Sequence, residues 1–192
     1  MKFDDPSYPE TEGKEFSIEM PLGQFTGCEI TAPCGMTGQK AAIETFDNPS
    51  VFFSPERKNA ELLWFDHGFI TYHFPNNFPN NKEFSEISFS FEACSEAVYH
   101  RSNWPSDITL YINGVEIATY TSPGDYGGRR GKYTPDHWPV ISTQFGQLKR
   151  FTVNTSGVYD NNVLVNRGVC FDDLKLNDHP YIVFSIGVKP DA

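Results

Sequence analysis

Residues Trp104–Pro139 read WPSDITLYINGVEIATYTSPGDYGGRRGKYTPDHWP and open and close with a Trp-Pro pair. Within them, ITLYI and VEIAT flank Asn113-Gly114, the dipeptide that best accepts the two positive φ values of a tight type I′ turn. The spacing predicts a β-hairpin with a two-residue loop, Ile112 opposite Val115 and Leu110 opposite Ile117. Ile108, Leu110, Ile112, Val115 and Ile117 then share a core face, while Thr109, Tyr111, Glu116, Ala118 and Tyr120 take the other. After the hairpin, an irregular loop from Thr121 to Trp138 concentrates aromatic, arginine and carboxylate side chains. Long irregular loops in compact domains tend to be functional, which makes this loop the candidate working surface.

Working outward, the same period-2 alternation recurs in short runs. Phe84–Phe91 is the strictest, with Ile87, Phe89 and Phe91 inward and Glu86, Ser88 and Ser90 outward. Leu148–Val153 is a further strand, followed by a turn at Asn154–Gly157. Tyr181–Val188 places Ile182, Phe184 and Ile186 on one face. Val163–Val165 and Leu174–Leu176 are shorter candidates. Residues 62–74, LLWFDHGFITYHF, read as a hairpin bent at Gly68, and Phe16–Thr31 allows one or two edge strands before a turn at Cys34-Gly35. Ser54-Pro55-Glu56 combines a capping residue, a proline at the first helical position and a first-turn acid, which predicts a single helical turn to about Ala60. Nine or ten short strands with no sustained helical period define an all-β chain. The expected architecture is an antiparallel β-sandwich of jelly-roll, galactose-binding-domain-like type. Residues 1–15 are polar and aperiodic and are expected to be a flexible arm, leaving 16–192 as a single domain.

The composition narrows the function. A formal charge of −10 over 192 residues repels phosphate over most of the surface, so this chain is not expected to grip nucleic acid by itself. No apolar run is long enough to span a bilayer and no export signal opens the chain, so the expected compartment is the cytoplasm. Cys28, Cys34, Cys94 and Cys170 are then expected to be free thiols. Cys28 and Cys34 lack zinc-site spacing and the histidines are scattered, so no metal and no cofactor is expected. No nucleophile elbow is present, and Asp125 with Asp136, the one conceivable glycosidase pair in the loop, has no fixed separation. The chain is therefore read as non-enzymatic.

Ring faces pack on the apolar faces of sugars and planar polar groups clamp their hydroxyls. On that chemistry Trp104, Asp125, Tyr126, Arg129, Arg130, Tyr133 and Trp138 are the candidate ligand-binding residues for a small molecule of carbohydrate type. The competing reading makes the tryptophans and Tyr133 loop anchors and pairs the arginines with local acids.

Five segments, NAELLWFDHGFITYHFPN, SFSFEACSEA, the block from Asn103 to Pro139, TQFGQLKRFTVN and FSIGVKPDA, resemble the C-terminal domain of bacterial winged-helix transcriptional regulators of the ArsR type. The WPSDI…YINGVEI…TSPGDYGGRRGKYTPDHWP block is the most specific part. The resemblance implies an effector domain that senses a ligand or mediates assembly, with DNA contacted only through a winged-helix domain that this sequence lacks. On this reading ligand binding orders the Thr121–Trp138 loop and passes differential binding energy to the DNA-binding part. A carbohydrate-binding module beside a glycan-processing enzyme is the alternative. A third reading makes the outward tyrosines a homodimer interface.

Overall fold

In the computed structural model, which describes residues 15–76 and 84–190, the described residues form eleven strands joined by antiparallel ladders. They are β1 Gly27–Ile30, β2 Cys34–Gly38, β3 Ala60–Phe65, β4 Gly68–Pro75, β5 Glu86–Ala93 and β6 Ser106–Ile112. β7 Val115–Ser122, β8 Gln147–Asn154, β9 Gly157–Asp160, β10 Val163–Asn166 and β11 Tyr181–Val188 complete the set. One sheet runs β1-β4-β11-β6-β7, a second runs β10-β9-β8-β5, and β2 pairs with β3 alone. The expected arm, except for the exposed Glu15, lies outside the described residues.

The hairpin forms where the sequence placed it. Asn113 and Gly114 have φ of +48° and +80°, and Ile112 faces Val115. Asn113 also earns its place through its side chain: it accepts from the Val183 amide at 2.8 Å and donates to the Leu174 carbonyl at 2.9 Å, tying the turn to β11. Beyond the turn the alternation slips. A bulge pairs Leu110 with Ala118 and Ile108 with Tyr120, so Ile117 is an inserted residue that is itself buried. Tyr120, expected on the outer face, therefore points into the core, because one extra residue inverts the facing of everything after it.

The two main sheets close on each other through rings. Phe89 of β5 stacks on Phe184 of β11 with centroids 4.3 Å apart, Phe74 of β4 meets Phe89 edge-on at 5.4 Å, and Tyr120 of β7 lies 5.5 Å from Phe151 of β8. Each such ring removed from water contributes about 1.5–3 kcal/mol before conformational entropy is counted. The antiparallel β-sandwich read from the alternation is the observed fold.

Three local expectations change. Residues 62–74 are not a hairpin: β3 pairs with β2, and the chain changes sheets at Asp66–Gly68. Gly68, at φ +107°, permits this, since a Cβ there would lie 1.9 Å from the Glu29 carbonyl oxygen. Cys34-Gly35 is the start of β2 rather than a turn. Leu174 and Leu176 are buried as their alternation suggests, but they flank a left-handed Lys175 after a short 3₁₀ turn and form no strand. The helical turn at Pro55–Asn59 is present, capped by the Ser54 hydroxyl accepting from the Glu56 amide at 3.2 Å.

Candidate functional site

The Thr121–Trp138 loop and its return, 139–146, are cross-tied at many points. The Gln144 amide donates to the Tyr126 carbonyl at 2.7 Å and the Gly128 amide to the Val140 carbonyl at 3.0 Å. The Gln144 side chain reaches the Pro139 carbonyl at 2.7 Å, and the Thr134 hydroxyl donates to the Gln144 carbonyl. Tyr126 stacks on Phe145 at 5.5 Å. The loop is thus ordered by its own hydrogen bonds, in contrast to the expectation that a ligand orders it.

These ties divide the seven candidates. Trp104, Arg129, Arg130 and Tyr133 line a broad groove of about 2920 Å³ that follows β5, with Glu96 and Phe145 among its other walls. Trp104 and Tyr133 are 43% and 59% exposed, enough to offer ring surface. Arg101 lies 4.7 Å over the Trp104 ring, and Arg129 lies 4.9 Å over Phe145. Arg130 is committed to the loop, donating to the Pro135 carbonyl at 2.7 Å and the Trp138 carbonyl at 3.1 Å. Asp125 and Tyr126 instead line a separate pocket of about 510 Å³. Trp138 lines neither cavity. It packs 5.3 Å from Trp64 and 6.3 Å from Phe46, and its indole donates to the Thr143 carbonyl at 2.8 Å, which makes it an anchor between loop and small sheet. Asp136 is exposed and lines neither cavity, whereas Asp125 is fully buried.

Between groove and pocket stands a trio that the sequence did not reveal. The Thr143 hydroxyl is 2.9 Å from Oε2 of Glu96 and 2.9 Å from Oδ2 of Asp125, which also accepts from the Ala97 amide at 2.9 Å. A hydroxyl has one proton to donate, so the second short contact calls for a proton on one of the carboxyls. Glu96 lies at the surface with its carboxyl turned toward Thr143. Desolvation pushes that carboxyl up to about 7, the Thr143 hydrogen bond opposes the rise, and Asp125 adds to it. Burial also raises Asp125, against the Ala97 and Thr143 hydrogen bonds and the nearby His100. Glu96 and His100 sit in 94–100, CSEAVYH, just beyond β5. No spacing signal ties that stretch to Asp125, because the tie runs through Thr143. All four cysteines are free, and desolvation lifts Cys28 to about 11 and Cys94 to about 12.

Among the described residues no His, Cys, Asp and Glu side chains gather into a group able to hold a metal, and no helix is long and apolar enough to cross a membrane. No family model, no curated protein and no solved structure matches the chain.

Proposed function

We propose that this chain is a non-catalytic effector domain of a bacterial transcriptional regulator, and that its groove takes a carbohydrate or related metabolite. One observation carries the ligand part: exposed Trp104, just before β6, and exposed Tyr133 line the same groove as Arg129, and the loop that carries Tyr133 and Arg129 is already held in shape. Ring faces and a planar clamp on a preorganised frame suit a polyhydroxylated ligand, because little ordering entropy is lost on binding. The regulator part rests on the resemblance of the 103–139 block, with DNA contacted by a separate winged-helix domain and not by this acidic surface. On this reading, a ligand shared between groove and loop changes an interface with the DNA-binding part, and it acts only through unequal affinity for the two states. The cytoplasm is the compartment proposed, in keeping with the four free thiols.

The size of the groove, about 2920 Å³, favours a second reading, a carbohydrate-binding module that receives an extended glycan beside a glycan-processing enzyme. Titration calorimetry with monosaccharides and with soluble oligosaccharides separates the two. An effector domain prefers the small ligand, whereas a glycan module gains affinity with chain length. Absence of heat with either set, or binding unchanged in both Trp104→Ala and Tyr133→Ala, removes the groove from the account.

A further inference from the structure

Two strand edges bound the groove. Every residue from Glu61 to His67 and from Phe84 to Glu96 lines it. Successive strand residues point to opposite faces, so a groove that meets all of them runs along the edges of β3 and β5 and not over their faces. Among the described residues, β5 ends the β10-β9-β8-β5 sheet and β3 pairs only with β2. The facing of the β5 main chain follows from its neighbour. The Arg150 amide donates to Oδ1 of Asn161 at 3.0 Å and the Arg150 carbonyl accepts from the Asn161 amide at 2.9 Å, so Arg150 turns its main-chain groups away from β5. Ser90, opposite Arg150, then sits in a non-hydrogen-bonded pair and directs its N–H and C=O away from β8, into the groove. With a period of two, Glu86, Ser88 and Glu92 do the same. Edges of this kind are normally blunted by shortness, bulges, lysine or proline. β1 and β10 have four residues each, and bulges interrupt the ladders of β10 and β7. β5 instead pairs with β8 over eight residues in unbroken register and contains neither proline nor lysine.

We propose that the part of the groove between β3 and β5 receives an extended segment of a partner protein, apolar at alternate positions and basic between them, added antiparallel to β5. Leu63, Phe65, Phe74, Ile87, Phe91 and Ile186 line the groove half-buried and offer apolar surface to its inward side chains. The charged residues of the two strands are all acidic, Glu61, Glu86 and Glu92, whereas Arg129, Arg130 and Lys132 of the wall belong to the loop. Residues of the added strand opposite Glu86 and Glu92 share their solvent face, where lysine or arginine is favoured. Two nearer occupants fit less well. A second β5 paired about Phe89 sets Glu86 against the other copy's Glu92, and the run Glu15–Met20, which itself lines the groove, brings Glu15 and Glu19 to the same carboxylates. The proposal does not require a carbohydrate at Trp104 and Tyr133.

The test is fluorescence anisotropy of the full chain with a fluorescein-labelled peptide, Lys-Val-Lys-Ile-Lys-Val-Lys. Its glutamate counterpart and a form N-methylated at the lysines, which removes the N–H groups that meet β5, are the controls. Ser90→Pro deletes one groove-facing N–H at an exposed edge position without touching the ladder to β8, and Ser90→Thr keeps that N–H. The basic peptide is expected to bind the wild type and Ser90→Thr alike, and to lose about tenfold or more in affinity on N-methylation or in Ser90→Pro. Glu86→Lys is expected to weaken it several-fold. The N-methylated peptide decides the matter even if Ser90→Pro fails to fold. No binding to the wild type, equal binding of the N-methylated or the glutamate peptide, or binding that survives in a folded Ser90→Pro overturns the proposal. A wild-type dimer in sedimentation velocity that Ser90→Pro dissolves assigns the edge to a second copy and overturns it as well.

Discussion

Glu96 and Asp125 share one hydroxyl: Oε2 of the first and Oδ2 of the second each lie 2.9 Å from Thr143 Oγ1. Two carboxyls around a single donor hold a proton between them, and the sign of its effect follows. The folded Glu96 carboxyl sits at about 7 against its ordinary 4.5, so the stability it contributes is present below about pH 4.5 and is lost as the pH rises through 7. Asp125, also raised, acts in the same direction. Urea midpoints measured from about pH 5 to about pH 8 are expected to fall with rising pH, and Glu96→Gln to flatten that fall. An unchanged slope in Glu96→Gln contradicts the shared proton.

The Phe89–Phe184 stack, at 4.3 Å and nearly parallel, joins the central strand β11 of one sheet to the edge strand β5 of the other. Both rings are buried, and Phe184 also contacts Phe91 at 6.0 Å, so truncation leaves a cavity that neighbours on two sheets border. Phe184→Ala is expected to lose about 3–5 kcal/mol in chemical denaturation.

Trp138 and Tyr133 separate an anchoring ring from an exposed one. Trp138→Ala removes contacts with Trp64 and Phe46 and the hydrogen bond to Thr143, and is expected to cost about 2–3 kcal/mol, near the low end for large aromatic truncations because the ring is only half-buried. Tyr133→Ala, at an exposed ring, is expected to stay within about 0.5 kcal/mol of wild type. Equal costs for the two contradict the division of the loop.

Gly68 turns the chain from the small sheet into β4 at φ +107°, with the Glu29 carbonyl where a Cβ would stand. Gly68→Ala is expected to destabilise by at least about 2 kcal/mol, since strain and a backbone clash act together. Circular dichroism melts of Gly68→Ala against Gly114→Ala, whose Cβ meets nothing within 4 Å, separate the clash from the cost of a positive φ.

The sandwich was legible because period-2 alternation survives in β5, β6, β8 and β11, and because Asn113-Gly114 fixes its own turn. It failed where geometry departs from that period. The bulge at Ile117 turned Tyr120 inward, and Leu174 and Leu176 alternate around a left-handed residue without pairing. β2, rich in glycine and small residues, carries no strand signal of its own and is specified by pairing with β3. The candidate residues were legible as a group on the chain, but their division among groove, pocket and packed interior was not. Composition marks Trp104 and Trp138 alike, whereas packing against Trp64 exists only in three dimensions, as does the tie from Glu96 through Thr143 to Asp125.

The most direct measurement is a thermal-shift screen of mono- and oligosaccharides, sugar phosphates and nucleosides on the wild type and on Trp104→Ala. A ligand at ~100 times its dissociation constant adds about 2.7 kcal/mol to the native state, which is a visible shift. The account predicts at least one carbohydrate that stabilises the wild type and loses its effect in a folded Trp104→Ala. No carbohydrate effect, or one indifferent to Trp104→Ala, contradicts a sugar-binding groove.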